Sequence, residues 1–173
     1  MNTIRRWRLI AILMTAGAAW AQPTVRAVLK PGAERKPAPE IGLRDSKGKA
    51  ATLKQYRGKI LLLDFWATWC TGCKQEIPWF VEFQQKFGAK HFAVVGVSLD
   101  EGGWDVLRPF LDKAHIPYRM VLGDDAAAKR YGIESMPDTF LIDAKGRVAA
   151  GYLAGLVDRA DIENNIRTLL AER

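Results

Sequence analysis

The 173-residue sequence predicts an α/β fold, in which a central mixed sheet is flanked by helices on both of its faces. Three observations support this fold class. Strand-like and helix-like segments alternate along the chain, which is typical of α/β proteins. The runs ILLLDFW (60–66) and HFAVVGVSL (91–99) are short and almost continuously apolar, as in strands buried on both faces. The last two strand-like segments form a hairpin, which adds antiparallel strands to the sheet.

The composition and charge are those of an ordinary globular domain. Hydrophobic residues make up 49% of the chain and charged residues 26%. The formal net charge is +7, but Arg5, Arg6 and Arg8 supply three of these charges near the N-terminus. The remaining basic residues are interleaved with acidic ones, so the sequence contains no basic stripe for binding phosphates. We therefore expect no nucleic-acid partner.

Residues 1–21 have the pattern of a cleavable signal peptide. A basic start precedes an apolar stretch from 9 to 20, and Ala19 and Ala21 flank Trp20 as a small-x-small cleavage site. The uncharged run is shorter than the roughly 20 apolar residues that a membrane-spanning helix needs. An uncleaved N-terminal tether to the membrane is the alternative. The pattern predicts an exported, periplasmic protein.

The remaining sequence divides into a lead-in and one domain. Residues 22–39 are rich in proline and alanine and show no sustained period, so we expect a flexible segment there. A single domain is expected over 40–173. Its length is sufficient for a sizeable buried core.

The first half of the domain is expected to contain a hairpin, a helical turn, a strand and a long helix. Two strand-like pieces at 40–53 are separated by a polar turn, and 53–59 forms a helical turn that ends in glycine. The buried strand at 60–66 follows. From 71 to 87 the apolar residues recur at helical spacing, and Gly88 ends the helix.

The second half alternates strands with helices. The expected strands are 91–99 and 118–122, the expected helices are 103–114, 124–132 and 158–173, and the final hairpin spans 138–153. Pro109 is expected to interrupt the helix at 103–114 or to delay its start. Asp158 is the predicted N-cap of the last helix, whose apolar residues share one face.

Cys70 and Cys73, the only cysteines of the chain, form a Cys-x-x-Cys motif between a predicted strand and a predicted helix. The unpaired N–H groups and positive dipole at the start of a helix favour a thiolate at Cys70. Because the thiolate is the nucleophile of disulfide exchange, we expect Cys70 to attack a disulfide. Cys73, one turn further and more buried, is placed to resolve the resulting mixed disulfide. An exported chain also meets the oxidising conditions in which disulfides persist.

Two other uses of the cysteine pair are weaker. A purely structural disulfide would close a loop of four residues, which removes little entropy from the unfolded chain. A structural zinc site needs four ligands, and His91 and His115 lack ligand spacing to each other or to the cysteines. The motif therefore indicates redox chemistry, with no metal and no cofactor.

The stretch LLLDFWATWCTGCKQEIP (61–78) resembles the active-site segment of the thioredoxin superfamily, more specifically its exported TlpA/ResA-type branch. Residues 39–59 resemble the N-terminal hairpin and helix of that branch. The segment YGIESMPDTFLID (131–143) resembles its cis-proline region, and 100–131 is long enough for its central helix-and-strand insert. The resemblance implies a thioredoxin fold for the domain.

The resemblance also implies three substrate-binding residues near the cysteines. It implies a cis bond between Met136 and Pro137, with Pro137 facing the cysteines and leaving its loop open for a substrate backbone. An ordinary turn proline is the alternative. Trp69 is expected to shape and shield the site beside Cys70. Gly72, by contrast, occupies a position where this branch often has a proline.

Two acids complete the implied catalytic set. Asp64 matches the buried carboxyl of thioredoxin, which would take the proton from Cys73; a strand acid paired to a lysine is the alternative. Glu76 matches the acid that this branch carries three residues after its second cysteine. Glu76 would tune the pKa values of the thiols. The alternative is a solvent-exposed helix carboxylate without a role in the reaction. Asp64 is less usual in this branch than an amide, so the proton-transfer role is divided between the two acids.

These matches imply an extracytoplasmic thiol–disulfide oxidoreductase that reduces disulfides of partner proteins. The implied partners are proteins of the apocytochrome c or copper-chaperone type, and a membrane thiol donor would restore the dithiol. We expect a monomer. Two alternatives are a copper or metal chaperone that uses Cys70, Cys73 and Met136, and a peroxidase of the peroxiredoxin type. The second needs a proline and threonine arrangement before its cysteine that FWATWC (65–70) lacks.

Overall fold

The structure, a computed structural model, describes residues 24–173. The predicted signal peptide at 1–21 lies outside these residues. No helix among residues 24–173 combines the length and the apolar character needed to cross a membrane. The strands are β1 (Thr24–Val25), β2 (Leu43–Asp45), β3 (Ala50–Ala51), β4 (Ile60–Trp66), β5 (Phe92–Ser98), β6 (Arg119–Leu122), β7 (Asp138–Ile142), β8 (Val148–Tyr152) and β9 (Leu156–Val157). The helices are α1 (Thr71–Phe87), α2 (Gly103–Ala114), α3 (Asp125–Tyr131) and α4 (Arg159–Ala171).

Seven strands form one mixed sheet in the order β3-β2-β6-β5-β4-β7-β8. β4, β5 and β6 are parallel to one another, whereas β7 and β8 are antiparallel to their neighbours and β2 is antiparallel to β6. The N-terminal hairpin and the central helix-and-strand insert are present as β2–β3 and α2–β6. The predicted fold class is confirmed. β1 and β9 form a separate parallel pair of two residues each.

The alternation of β4 divides the core into two layers. Ile60, Leu62 and Trp66 pack with the apolar faces of α1, α2 and α4. The intervening side chains at 61, 63 and 65 pack on the opposite face with α3 and the N-terminal hairpin. Since side chains alternate along a strand, Asp64 lies on the same face as Ile60 and Trp66, beneath α1.

Local sequence signals account for the ends of the helices. Asp124 and Asp158 each accept a hydrogen bond from the backbone N–H three residues ahead, which caps α3 and α4 as side-chain oxygens commonly do. The prediction for Pro109 is wrong, because α2 runs without interruption through this residue. Because Pro109 has no N–H, the Asp105 carbonyl loses its helical hydrogen bond. Both residues are exposed to solvent. Water can therefore satisfy that carbonyl, so the helix tolerates the proline.

The described part of the lead-in, residues 24–39, differs from the flexible segment that we expected. Beyond β1, it follows β8 through backbone hydrogen bonds from Lys30 N–H to the Ala149 carbonyl and from Val148 N–H to the Lys36 carbonyl, both 2.9 Å. Arg35 is buried and forms ion pairs with Asp143 and Glu172. Backbone pairing needs no periodic pattern of side chains, so it could not be predicted from the sequence.

Candidate active site

Cys70 and Cys73 lie where the chain passes from β4 into α1, and they form a disulfide with a Cα–Cα separation of 5.3 Å. Cys70 is the N-cap of α1, and its Sγ accepts a hydrogen bond of 3.1 Å from the Cys73 N–H. Cys70 retains 6% of its exposure, whereas Cys73 is fully buried. Cys70 is therefore the more exposed residue of the pair, as expected of the attacking cysteine, and Cys73 is the more deeply buried one.

The loop before β7 lies directly against the first turn of α1. The Met136–Pro137 bond is cis, as the resemblance implied. A Cβ built on Gly72 would lie 3.4 Å from Pro137 Cδ, so the proline ring and the Cys-x-x-Cys turn are in close contact. Met136 is partly buried, while Trp69 is 66% exposed beside Cys70. Trp69 and the proline loop thus flank the accessible side of the disulfide.

Asp64 is fully buried on the α1 side of the sheet. Thr139 Oγ1 donates a hydrogen bond of 3.3 Å to Asp64 Oδ1, but Oδ2 has no hydrogen-bond partner. Burial raises the pKa of this carboxyl to about 7, and the negative charge of Asp138 acts in the same direction. The structure shows no lysine paired to Asp64, so the alternative of a strand acid in an ion pair does not hold for the described residues.

Glu76 is also fully buried, one helical turn after Cys73. Val157 N–H donates a hydrogen bond of 2.6 Å to Glu76 Oε1, and Oε2 has no partner. Burial and, after it, the nearby charge of Asp64 together raise the pKa of Glu76 to about 9. Glu76 is therefore not a solvated helix carboxylate.

Two other side chains lie at this site: Trp66, which the resemblance implied would shield and shape it, and Tyr118, which the sequence did not indicate. Trp66 Nε1 and Tyr118 Oη are buried without hydrogen-bond partners, as are one oxygen each of Asp64 and Glu76. Burial, followed by the charges of Asp64 and Glu76, raises the pKa of Tyr118 well above its ordinary value. These four atoms are the unpartnered buried side-chain atoms found in residues 24–173. Tyr118 is distant in sequence from the cysteines, and no motif marks it.

The chemistry available to this arrangement is thiol–disulfide exchange. A Cys-x-x-Cys disulfide caps a helix, a cis-proline loop flanks it, and two buried carboxyls with raised pKa values lie behind it. Within residues 24–173 no group of three or more His, Cys, Asp and Glu side chains is placed to hold a metal ion. Fold and site together define a thiol–disulfide oxidoreductase of thioredoxin fold.

Comparisons with known proteins agree with this class. The AhpC/TSA family profile matches residues 35–150. The chain is 30% identical over 133 residues to the thiol-disulfide oxidoreductase ResA of Geobacillus kaustophilus, which covers 76% of this chain and 75% of that protein. It is 30% identical over 135 residues to the thioredoxin-like protein YneN of Bacillus subtilis, with coverage of 77% and 78%. A thiol:disulfide interchange protein of the thioredoxin family from Chlorobium tepidum has a similar structure, with a TM-score of 0.71 and 25% identity over 81% of this chain and 99% of that one.

The chain therefore belongs to the AhpC/TSA family of thioredoxin-like proteins. Its relatives and its Cys70–Cys73 pair identify it as a thiol–disulfide oxidoreductase, which confirms the predicted enzyme class.

Proposed function

We propose that this protein works outside the cytoplasm as a reductant of disulfides in partner proteins. The observation that supports this most directly is the difference between the two cysteines: Cys70 caps the helix and is the more exposed, whereas Cys73 is fully buried on the side of two carboxyls of raised pKa. The helix-cap position of Cys70 favours nucleophilic attack by its sulfur. The burial of Cys73 favours deprotonation of its thiol only after the partner has bound.

In the proposed reaction, the Cys70 thiolate attacks one sulfur of the partner disulfide, and the other partner sulfur leaves as a thiolate. Cys73 then gives its proton to a buried carboxylate and attacks Cys70 Sγ. The Cys70–Cys73 bond forms and the bond between Cys70 and the partner breaks. Two electrons pass from the enzyme dithiol to the partner, which is released as a dithiol after protonation.

Asp64 is our candidate for the acceptor of the Cys73 proton. Two neighbouring carboxylates repel each other, and Asp64, with a pKa of about 7 and a hydrogen bond from Thr139, ionises before Glu76. Glu76, with a pKa of about 9, stays protonated at neutral pH. A carboxyl with a pKa near the working pH can both take up the proton and release it. Glu76 then tunes the site as a neutral group.

The location and partners follow from the sequence pattern and the resemblance. Residues 1–21 read as an export signal, and an uncleaved signal would serve as a membrane tether. The exposed indole of Trp69, next to Cys70, offers an apolar surface to a partner chain. We propose a periplasmic monomer that accepts electrons from a membrane thiol donor and acts on proteins of the apocytochrome c or copper-chaperone type.

A pair of matched cysteine variants tests the mechanism. Cys73→Ser should accumulate a covalent complex between Cys70 and a disulfide-containing protein, because the resolving thiol is absent. Cys70→Ser should form no such complex and should reduce no protein disulfides above the uncatalysed rate. Non-reducing electrophoresis and a turbidity assay of insulin reduction measure the two outcomes. An unchanged reduction rate in Cys70→Ser would exclude this mechanism.

The reduction potential of the Cys70–Cys73 pair decides the direction of electron flow. A reductant should lie near thioredoxin, at about −270 mV, whereas a strong oxidant lies near about −120 mV. Two further assays address the alternative functions. Rapid peroxide consumption with a thiol donor would indicate a peroxidase, and tight Cu(I) binding without disulfide reduction would indicate a metal chaperone.

A further inference from the structure

The buried carboxyl of Glu76 is connected to the N-terminal segment through β9. The Val157 N–H in β9 donates the 2.6 Å hydrogen bond to Glu76 Oε1. β1 runs parallel to β9, with Val25 opposite Val157, and the Asp158 N–H donates a hydrogen bond of 2.8 Å to the Val25 carbonyl. Both strands lie outside the seven-stranded sheet and outside the region matched to the family. β9 therefore contacts the helix of the cysteines on one side and β1 on the other.

The contact between β1 and β9 is close and is anchored on α4. A Cβ on Gly155 would lie 2.7 Å from Val25 Cγ2, so Val25 fits only because Gly155 has no side chain. The Ala27 N–H donates to Asp161 Oδ2 at 3.1 Å, and Asn165 Nδ2 donates to the Ala27 carbonyl at 2.8 Å. The N-terminal segment is thus fixed in position by backbone groups that its own sequence pattern does not reveal.

We propose that residues 24–27 are a positioning element for Glu76, because they hold β9 so that its Val157 amide stays on the carboxyl and water is kept out. This inference rests on the proposed function, in which Glu76 tunes the cysteine pair. Two-residue strands have little stability of their own. β9 therefore depends on β1 and α1 for its position.

Loss of β1 has a defined electrostatic consequence. Burial is the chief cause of the raised pKa of Glu76, so water that enters behind a loosened β9 lowers this pKa towards its ordinary value. Glu76 then carries a charge at neutral pH, in addition to Asp64 and Asp138, with Tyr118 neutral beside them. Negative charge disfavours the Cys73 thiolate, and the second step of the reaction slows.

A side-chain clash at the contact provides the test. Gly155→Ala places a methyl group against Val25, whose β-branched side chain is stiff, so β1 must move. Carbon-13 NMR of the Glu76 carboxyl in the full oxidised protein should show a titration midpoint lowered by about two pH units or more, to neutrality or below. The rate at which Cys73 resolves a mixed disulfide at pH 7 should fall several-fold. The double variant Gly155→Ala/Val25→Ala removes the Val25 methyl group that would clash. It should restore both the Glu76 titration midpoint and the rate of resolution.

Two further variants make the result decisive. Ala27→Pro removes the N–H that donates to Asp161 and should lower the Glu76 midpoint without any substitution in or next to β9. Arg35→Ala loosens the same segment far from Glu76 and should leave the midpoint unchanged. Faster amide exchange at Asp158 reports displacement of β1. An unchanged Glu76 midpoint in a variant with fast exchange would overturn the proposal, whereas loss of activity in Cys70→Ser would still support the reductase.

Discussion

Gly72 in the first turn of α1 faces the ring of Pro137, and a Cβ on Gly72 would lie 3.4 Å from Pro137 Cδ. This distance is an ordinary van der Waals contact, so the gap admits one methyl group. The active site therefore has room for an alanine between its cysteines.

Gly72→Ala should stabilise the protein by about 0.4–1 kcal/mol, because alanine restricts the unfolded chain and fits the contact. Gly96→Ala is the matched control. A methyl group at Gly96 would overlap the Met120 side chain, and such overpacking costs about 1–3 kcal/mol. Urea unfolding of the oxidised variants measures both changes. Equal destabilisation by the two substitutions would contradict the contact geometry.

Asp64→Asn should change how stability depends on pH. Burial raises the pKa of Asp64 from 3.8 to about 7, so between these values the folded chain holds a proton that the unfolded chain has lost. The free energy of unfolding therefore falls as pH rises from about 4 to 7. The neutral amide removes this slope. At pH 8 the variant should be more stable than the parent by a few kcal/mol, on the order expected for this shift in the pKa of Asp64. At pH 4 the variant and the parent should be nearly equal in stability.

Asp143→Asn serves as the control of opposite sign. Hydrogen bonds from Arg147 hold the pKa of Asp143 below its ordinary value despite its burial. Its contribution to stability is present above pH 4 and is lost as pH falls through the lowered folded-state pKa. The variant should thus be destabilised at neutral pH. Denaturant titrations at several pH values test both substitutions. If the free energy of unfolding of the parent and of Asp64→Asn varied with pH in parallel, the raised pKa of Asp64 would be refuted.

Tyr118→Phe should increase stability without a loss of activity. The Tyr118 hydroxyl is buried without a partner, and its removal relieves a cost of about 1–3 kcal/mol. The charges of Asp64 and Glu76 act on this hydroxyl, but it forms no hydrogen bond to either carboxyl and so offers no path for a proton. Insulin reduction should therefore proceed at the rate of the parent. Tyr131→Phe, which loses a 2.6 Å hydrogen bond to the Pro39 carbonyl on the other face, should lose stability and keep its activity.

Arg35→Ala should destabilise the fold by about 1–3 kcal/mol, the usual cost of losing hydrogen bonds to charged groups, because Asp143 keeps its ion pair with Arg147 and Glu172 is partly exposed. The Arg35 guanidinium, 4% exposed, pairs with Asp143 and Glu172. These residues lie at the opposite end of the central strands from Cys70. The reduction potential should therefore stay constant while the melting temperature falls. A shifted potential would show that the two ends of the sheet are coupled.

Local patterns were sufficient to predict most elements and the cysteine chemistry. β4 and β5 are continuous apolar runs, and α1 shows helical spacing between Cys70 and Gly88. The cis bond and the buried acids were inferred by resemblance, because their environment is made by segments far apart in sequence. Tyr118 and the Val157 amide could not be inferred, since a backbone donor and an isolated tyrosine leave no periodic signal.

The attachment of the N-terminal segment to β8 also shortens the free edge of the sheet. β8 is the last strand of the sheet, and residues 30–38 pair with the Val148 N–H and the Ala149 carbonyl on its outer side. At the other margin, β3 is only two residues long. The described chain thus presents no long unpaired edge on which a second molecule could add strands. A fragment that begins at residue 40 would uncover β8 and should aggregate.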